Sequence, residues 1–148
     1  MEMTLIGRPL VAGFAEGPAL VSNEPLSFWG GVSPQSGEII DRRHDRWGAV
    51  VAGRVFVFPR GRGSSTSSAT LMEAVRNGVA PAAIINLEVD SILALGSIVA
   101  DEVFKKSVPM VVLSAEAFQS IRDGDHITVN PDGRVTVIRE SAGACESA

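Results

Sequence analysis

The sequence predicts an α/β layered domain built on a mixed sheet or a partial barrel. Three observations carry this. Short apolar runs broken by glycine turns fill both ends of the chain. Two helix-period segments alternate with strand-like runs in the middle. The core-forming residues are small and β-branched, since there are fifteen Gly and six Phe but no Tyr. The expected order is a front of hairpin strands, a β-α-β-α-β middle and a closing hairpin.

At the front, Leu10–Phe14 and Ala19–Val21 read as two short strands, with Ala15-Glu16-Gly17-Pro18 as the turn between them. Residues 24–36 form a loop rich in Pro, Gly and Ser. Inside it, Phe28-Trp29-Gly30-Gly31 has two readings. The aromatics plug the loop onto the core, or the two glycines let backbone approach a ligand. Gly37–Asp41 reads as a further strand and Arg42–Trp47 as a solvated charged loop. Ala49–Phe58 is the longest strand candidate, apolar enough to be buried on both faces, and Pro59 ends it.

A glycine-rich turn follows, Arg60-Gly61-Arg62-Gly63, and then five consecutive hydroxyl residues, Ser64–Ser68. Leu71, Met72, Val75 and Val79 fall at helical spacing, a hydroxyl opens the helix, and Gly78 with Pro81 closes it. Ala82–Asn86 is a strand. Asp90–Phe104 is a helix with Ile92, Leu95, Val99 and Val103 in register. Val108–Leu113 is a strand, and Ser114 caps a short helix over Ala115–Ile121. Asp123-Gly124-Asp125 is a turn. Ile127–Val129 and Arg134–Ile138 alternate around Pro131-Asp132-Gly133 as a hairpin.

A length of 148 residues suits one domain, expected over residues 1–140, with a mobile polar tail over 141–148. Hydrophobic residues at 45% and mean hydropathy of +0.22 exclude a disordered chain. Thirteen basic against seventeen acidic residues give a net charge of −4, which argues against a nucleic-acid partner. No apolar run approaches the roughly 20 residues of a membrane span, and the start lacks a basic signal region. The single cysteine, Cys145, provides neither a disulfide nor a metal-thiolate set, so the expected compartment is the cytoplasm.

The first turn of a helix exposes backbone N–H groups without partners and carries partial positive charge. Behind Gly61 and Gly63, that turn offers a cradle for a carboxylate or phosphate, with Arg60 and Arg62 beside it. It is not a Walker A loop, because no Lys precedes the hydroxyls. Ser64 stands at the turn, where its oxygen is most exposed. A helix end contributes roughly 0.3–2 kcal/mol to a negative charge. That is about one pKa unit at 1.4 kcal/mol each, too little to make a serine basic. A reactive Ser64 needs more donors in a dry site, closed by a second protein surface.

The Gly63-Ser64-Ser65 segment resembles the Gly-Ser-Ser-Arg stretch in the swivelling domain of aconitase and isopropylmalate isomerase. A wider set resembles the small subunit, or swivelling domain, of the aconitase X family. Its pieces are Gly17-Pro18-Ala19-Leu20, Pro25–Val32 with Phe28-Trp29-Gly30-Gly31, Gly37–Asp41, His44, Pro59–Ser65 and Ala80–Ile85, and the likeness runs from about Leu5 to Ile138. It implies a swivelling β/β/α domain like the aconitase C-terminal domain. It also implies a hydro-lyase in which a serine base takes the proton next to a carboxylate, while an iron–sulfur cluster takes the hydroxyl. The cluster cysteines belong to a large catalytic partner subunit, and this chain binds no metal. By the resemblance Ser64 is the catalytic base. Gly30, Gly31, Arg62, Gly63, Ser65 and Thr66 bind a small hydroxy-acid substrate, and Phe28, Trp29 and His44 line the cleft or the subunit contact. Aconitase itself has a substrate-binding Arg two residues after the serine. Thr66 stands there here, which suits aconitase X. Within that family the substrate is cis-3-hydroxy-L-proline or mevalonate 5-phosphate, and the Arg-rich, Lys-poor composition favours the first. Rival readings are a phosphocarrier, because Asp123–Asn130 resembles the end of swivelling phosphohistidine domains, and a non-catalytic interaction domain. Neither His44 nor His126 occupies the phosphocarrier position.

Overall fold

The computed structural model describes residues 1–62 and 66–139. Among them lie eight strands and four helices: β1 (Glu2–Ile6), β2 (Arg8–Val11), β3 (Ala15–Val21), α1 (Phe28–Gly31), β4 (Val55–Val57), α2 (Thr66–Arg76), β5 (Ala83–Asn86), α3 (Ser91–Phe104), β6 (Met110–Val112), α4 (Ala115–Gln119), β7 (His126–Val129) and β8 (Arg134–Ile138). The strands form a mixed sheet in the order β1-β8-β7-β3-β4-β5-β6-β2. The chain leads from β1 directly into β2, so the two ends of that order meet at Gly7, whose N–H donates to Gly133 O at 3.0 Å. The sheet is thus a nearly closed barrel with flanking helices, and the expected fold class holds.

The parallel centre β3-β4-β5-β6 explains the two cores. On β4, Val55 and Val57 point to one side, against Ile85, Val111, Ile127 and Val137. Phe56 and the following Phe58 point to the other, against Leu20, Leu71, Leu93 and Phe28. Both faces of this strand are buried, as its apolar run predicts. α2 and α3 cover the second face. Gly96 lets them approach: a Cβ there would lie 2.8 Å from Ser68 O.

The middle and closing elements follow the sequence. α2 ends before Gly78, which takes φ +74°. Ser114 caps α4, accepting from Ala117 N–H at 3.2 Å, and β7 and β8 pair as a hairpin. The front differs. Ala15–Pro18 is not a turn but the first half of β3, paired antiparallel with β7, and Ala19–Val21 pairs parallel with β4. Gly17 is there for close approach, because a Cβ would stand 2.6 Å from Gly53 O. β2 pairs with β6 rather than β3, so the expected first hairpin does not exist. β1, which the sequence reading passed over, pairs with β8. Gly37–Asp41 makes only isolated bridges through Glu38 and Ile39. Ala49–Phe58 is shortened to three strand residues, because Gly53 at φ +72° turns the chain. On α3 the buried side is Leu93, Ala94, Gly96, Ser97 and Ala100, not the predicted Ile92-Leu95-Val99-Val103 register. The tail over 141–148 lies outside the described residues.

Candidate functional site

β4 and β5 run parallel and end at the same edge, so the segments that follow them meet there. After β4 the chain runs through Pro59 to Arg62 and is held from two sides. Leu26 N–H donates to Arg60 O at 3.3 Å, and Arg62 N–H donates to Leu26 O at 3.1 Å. Gly61 N–H donates to Asp90 Oδ2 at 2.9 Å, while Asp90 Oδ1 caps α3 by accepting from Leu93 N–H at 3.0 Å. A Cβ at Gly61 would run into the Asp90 carboxylate, so this position needs glycine. In the first turn of α2, Ser67 Oγ accepts from Trp29 N–H at 3.3 Å and lies 3.4 Å from Ser27 Oγ. The Phe-Trp-Gly-Gly turn is therefore docked on the start of α2. Between these pieces is a cleft of about 60 Å³, lined by Phe28, Gly61, Arg62, Ser67, Asp90, Ile92 and Leu93.

Gly63, Ser64 and Ser65, named from the sequence as base and binding residues, lie outside the described residues. Arg62 lines the cleft and makes no ion pair with a described residue, whereas Arg60 is turned to Glu88 at 3.6 Å. Thr66 is the exposed first residue of α2. The aromatic pair divides its roles. Phe28 is a core plug, with its ring 6.2 Å from that of Phe58, and Trp29 is 60% exposed. Gly30 is exposed at φ +79°, while Gly31 is buried against Leu26. Asp90 and Ser67 were missed as site residues. Asp90 shows in the sequence only as a helix cap, and its bond to Gly61 spans 29 positions. Ser67 is hidden in a run of equal hydroxyls.

His44 corrects the reading of Arg42–Trp47 as a solvated loop. It is 6% exposed and does not line the cleft. Its Nδ1 lies 3.1 Å from Arg46 N and 3.2 Å from Asp45 Oδ1, and its Nε2 faces Ser22 Oγ at 3.2 Å and Glu24 O at 3.3 Å. Ser22 Oγ donates to Asp45 Oδ1 at 2.7 Å. His44, Glu24 and Asp45 have metal-ligand spacing. The same groups also make protein hydrogen bonds: Glu24 Oε1 accepts from Asp45 N–H at 2.9 Å and Asp45 Oδ2 from Asn23 N–H at 3.2 Å. The cluster pins the 41–47 loop to the end of β3. His126, in contrast, is exposed beside Glu16.

A partly buried ion pair ties the turn before β7 to the end of β8. Arg139 reaches Asp125 through Nε at 2.9 Å and a terminal nitrogen at 2.7 Å. Burial pushes the Asp125 carboxyl up, but its hydrogen bonds to Arg139 and to Arg122 N–H outweigh this and hold it below the usual carboxylate value. Among the described residues no helix is long and apolar enough to cross a membrane.

Comparison with known proteins gives the site a context. The sequence pattern of the aconitase X swivel domain matches residues 4–138. The cis-3-hydroxy-L-proline dehydratase of Pseudomonas aeruginosa is 43% identical over 148 residues, covering 97% of this chain and 24% of the relative. The chain thus spans about a quarter of that protein's length. The phosphomevalonate dehydratase small subunit of Methanosarcina acetivorans is 37% identical, covering 99% of both chains. The crystal structure of Thermococcus kodakaraensis aconitase X in its holo-form superposes with a TM-score of 0.83 at 37% identity, covering 93% of this chain and 99% of that one. A solution NMR structure of a UPF0107 protein superposes with a TM-score of 0.81 at 37% identity, covering 93% and 100%.

Proposed function

This chain belongs to the aconitase X swivel-domain family, and from that premise we propose that it is the small subunit of a hydro-lyase that dehydrates cis-3-hydroxy-L-proline. Ser64 is the general base. The C–H bond next to the substrate carboxylate breaks, and its proton goes to the Ser64 oxygen. The electron pair forms a C=C bond as the hydroxyl leaves the neighbouring carbon, so the sum is the loss of one water. Arg62 and the amides at the start of α2 receive the carboxylate, with Gly30 and Gly31 on the facing loop and Gly63, Ser65 and Thr66 completing the cradle.

The observation that carries this reading is the cleft. Ser64 stands in the sequence between Arg62, which lines it, and Thr66, which opens α2. At about 60 Å³ the cleft is far smaller than the roughly 300–1,000 Å³ of a ligand site. It is one wall of a site, and the larger subunit supplies the others and the dry surroundings that a serine base needs. One cysteine in 148 residues does not fit an iron–sulfur cluster. A cluster belongs to the larger chain's cysteines.

Mevalonate 5-phosphate is the second reading, favoured by the end-to-end match with an archaeal small subunit. The charge of the cleft favours the first. Arg62 is its cationic side chain and Asp90 its carboxylate. A near-neutral wall suits a zwitterionic amino acid with one carboxylate better than a carboxylate plus a phosphate dianion.

The test is reconstitution of this chain with its larger partner and assay on both substrates. Hydroxyproline turnover with the wild-type pair, and its loss in Ser64→Ala with assembly unchanged, is the expected result. Near-normal turnover by the Ser64→Ala pair overturns the role of Ser64, and turnover of phosphomevalonate alone overturns the substrate.

A further inference from the structure

α3 is apolar nearly all the way round. Between Ser91 and Phe104 its polar side chains are Ser91, Ser97, Asp101 and Glu102. The face with Leu93, Ala94, Ser97 and Ala100 packs on the core. The outer side carries Leu95 and Ile98, 56% and 50% exposed, with exposed Glu102 between them, and Val103, 60% exposed, stands at its edge on the same flank as Ile92. A helix apolar on every side is normally a buried helix, and a continuous exposed apolar stripe marks a contact surface. Leu95, Ile98 and Val103 belong to neither core cluster.

We infer that the outer stripe of α3, from Ile92 to Val103, is the docking surface for the larger, cluster-bearing chain of the same enzyme. The inference rests on the small-subunit reading above and says where the two chains meet. Two observations choose this occupant. Ile92 opens the stripe and is also a wall of the cleft, so a body that closes the cleft reaches the stripe without a break. In the Pseudomonas aeruginosa relative the matched part is 24% of the length, so about three quarters is further chain to meet. The polar rim at this end of the helix carries both signs, Asp101 and Glu102 before Val103 and Lys105 and Lys106 after it, all exposed. A second copy of this chain fits poorly. It would bring no cysteine set to the cleft. The stripe is only about 18 Å long at 1.5 Å per residue, less than a full interface needs. Val89 and Trp29, the sequence neighbours of the cleft residues Asp90 and Phe28, are exposed as well.

The experiment mixes this chain with the larger chain and measures the dissociation constant, with hydro-lyase turnover as the second readout. L95K/I98K is expected to weaken association at least a hundredfold with little change in Tm, because both positions are half exposed. Ile138→Lys, at an exposed apolar position on β8, is expected to bind like wild type. A milder variant, Leu95→Gln, and hydrogen exchange over α3 in the wild-type pair guard against loss of folding. Protection of the 95–103 amides on assembly is expected. Wild-type affinity in L95K/I98K, or no new protection on α3, overturns the inference while leaving the subunit reading standing. A wild-type chain that pairs with itself through α3 overturns the choice of occupant. A wild-type chain that neither binds the larger chain nor supports turnover overturns the subunit reading and this inference with it.

Discussion

Both oxygens of Asp90 accept from backbone amides, one from Leu93 N–H and one from Gly61 N–H. The first bond starts α3 and the second fixes the turn that leads to Ser64. Asp90→Asn separates them. Asn is as good an N-cap as Asp, but its amide nitrogen would face the Gly61 N–H donor. Leaving a partly buried donor unmet costs about 1–3 kcal/mol, and a small misplacement at a reacting centre costs far more in rate than in stability. The Asp90→Asn chain is therefore expected to lose about 1–3 kcal/mol in urea unfolding and at least about tenfold in kcat of the pair. An unchanged kcat removes Asp90 from the site. At this scale the sequence was only partly legible. Arg62 and the hydroxyl run announce themselves by type. Asp90 and His44 take their meaning from partners 29 and 22 positions away, and no local pattern encodes such distances.

The elements show why some readings succeed. Phe28, Phe56 and Phe58 form one aromatic cluster, with the rings of Phe56 and Phe58 stacked at 4.3 Å and that of Phe28 at 6.4 Å from Phe56. β4 was legible because its apolar run is what a doubly buried strand requires. The loop's plug was legible because an aromatic pair among glycines has to seat somewhere. Phe28→Ala is expected to cost about 3–5 kcal/mol, and Trp29→Ala less than about 1 kcal/mol, by chemical denaturation. Equal costs would mean that both rings are core. The front strands and the buried face of α3 were misread for one reason. Gly17 and the apolar residues of α3 serve contacts made across the molecule, and local periodicity assigns them to the nearer explanation. The Asp125–Arg139 pair makes an element-scale prediction in pH. Asp125 titrates below its ordinary 3.8 in the folded chain. Its stabilisation is therefore complete above about pH 4 and lost as pH falls through the depressed value. Tm is expected to drop more steeply below pH 4 in wild type than in Asp125→Asn, whose Tm is already lower at pH 7. Parallel curves would remove the pair from acid stability.

On the scale of the whole molecule the barrel and the cleft make different demands. The barrel is self-sufficient. Its two ends meet at Gly7, both faces of its central strands are buried, and a relative of the same extent and fold has a solution structure. The cleft is not, since it offers one cation, one carboxylate already bound by amides, and a volume that holds about two waters. On the small-subunit reading, a molecule built this way is expected to fold alone and to act in company. The isolated chain is expected to unfold in one cooperative transition and to show no dehydratase turnover. Titrating in the larger chain should raise turnover to a plateau at one-to-one stoichiometry, without moving the amide signals of β7 and β8 on the far side of the barrel. Turnover by the isolated chain would mean that the cleft is a complete site after all. A plateau reached at two of these chains per larger chain would mean that each site is built from two swivelling domains. Shifts spread evenly through β7 and β8 would mean that assembly reshapes the barrel itself, and the division between a rigid scaffold and an unfinished site would no longer describe this protein.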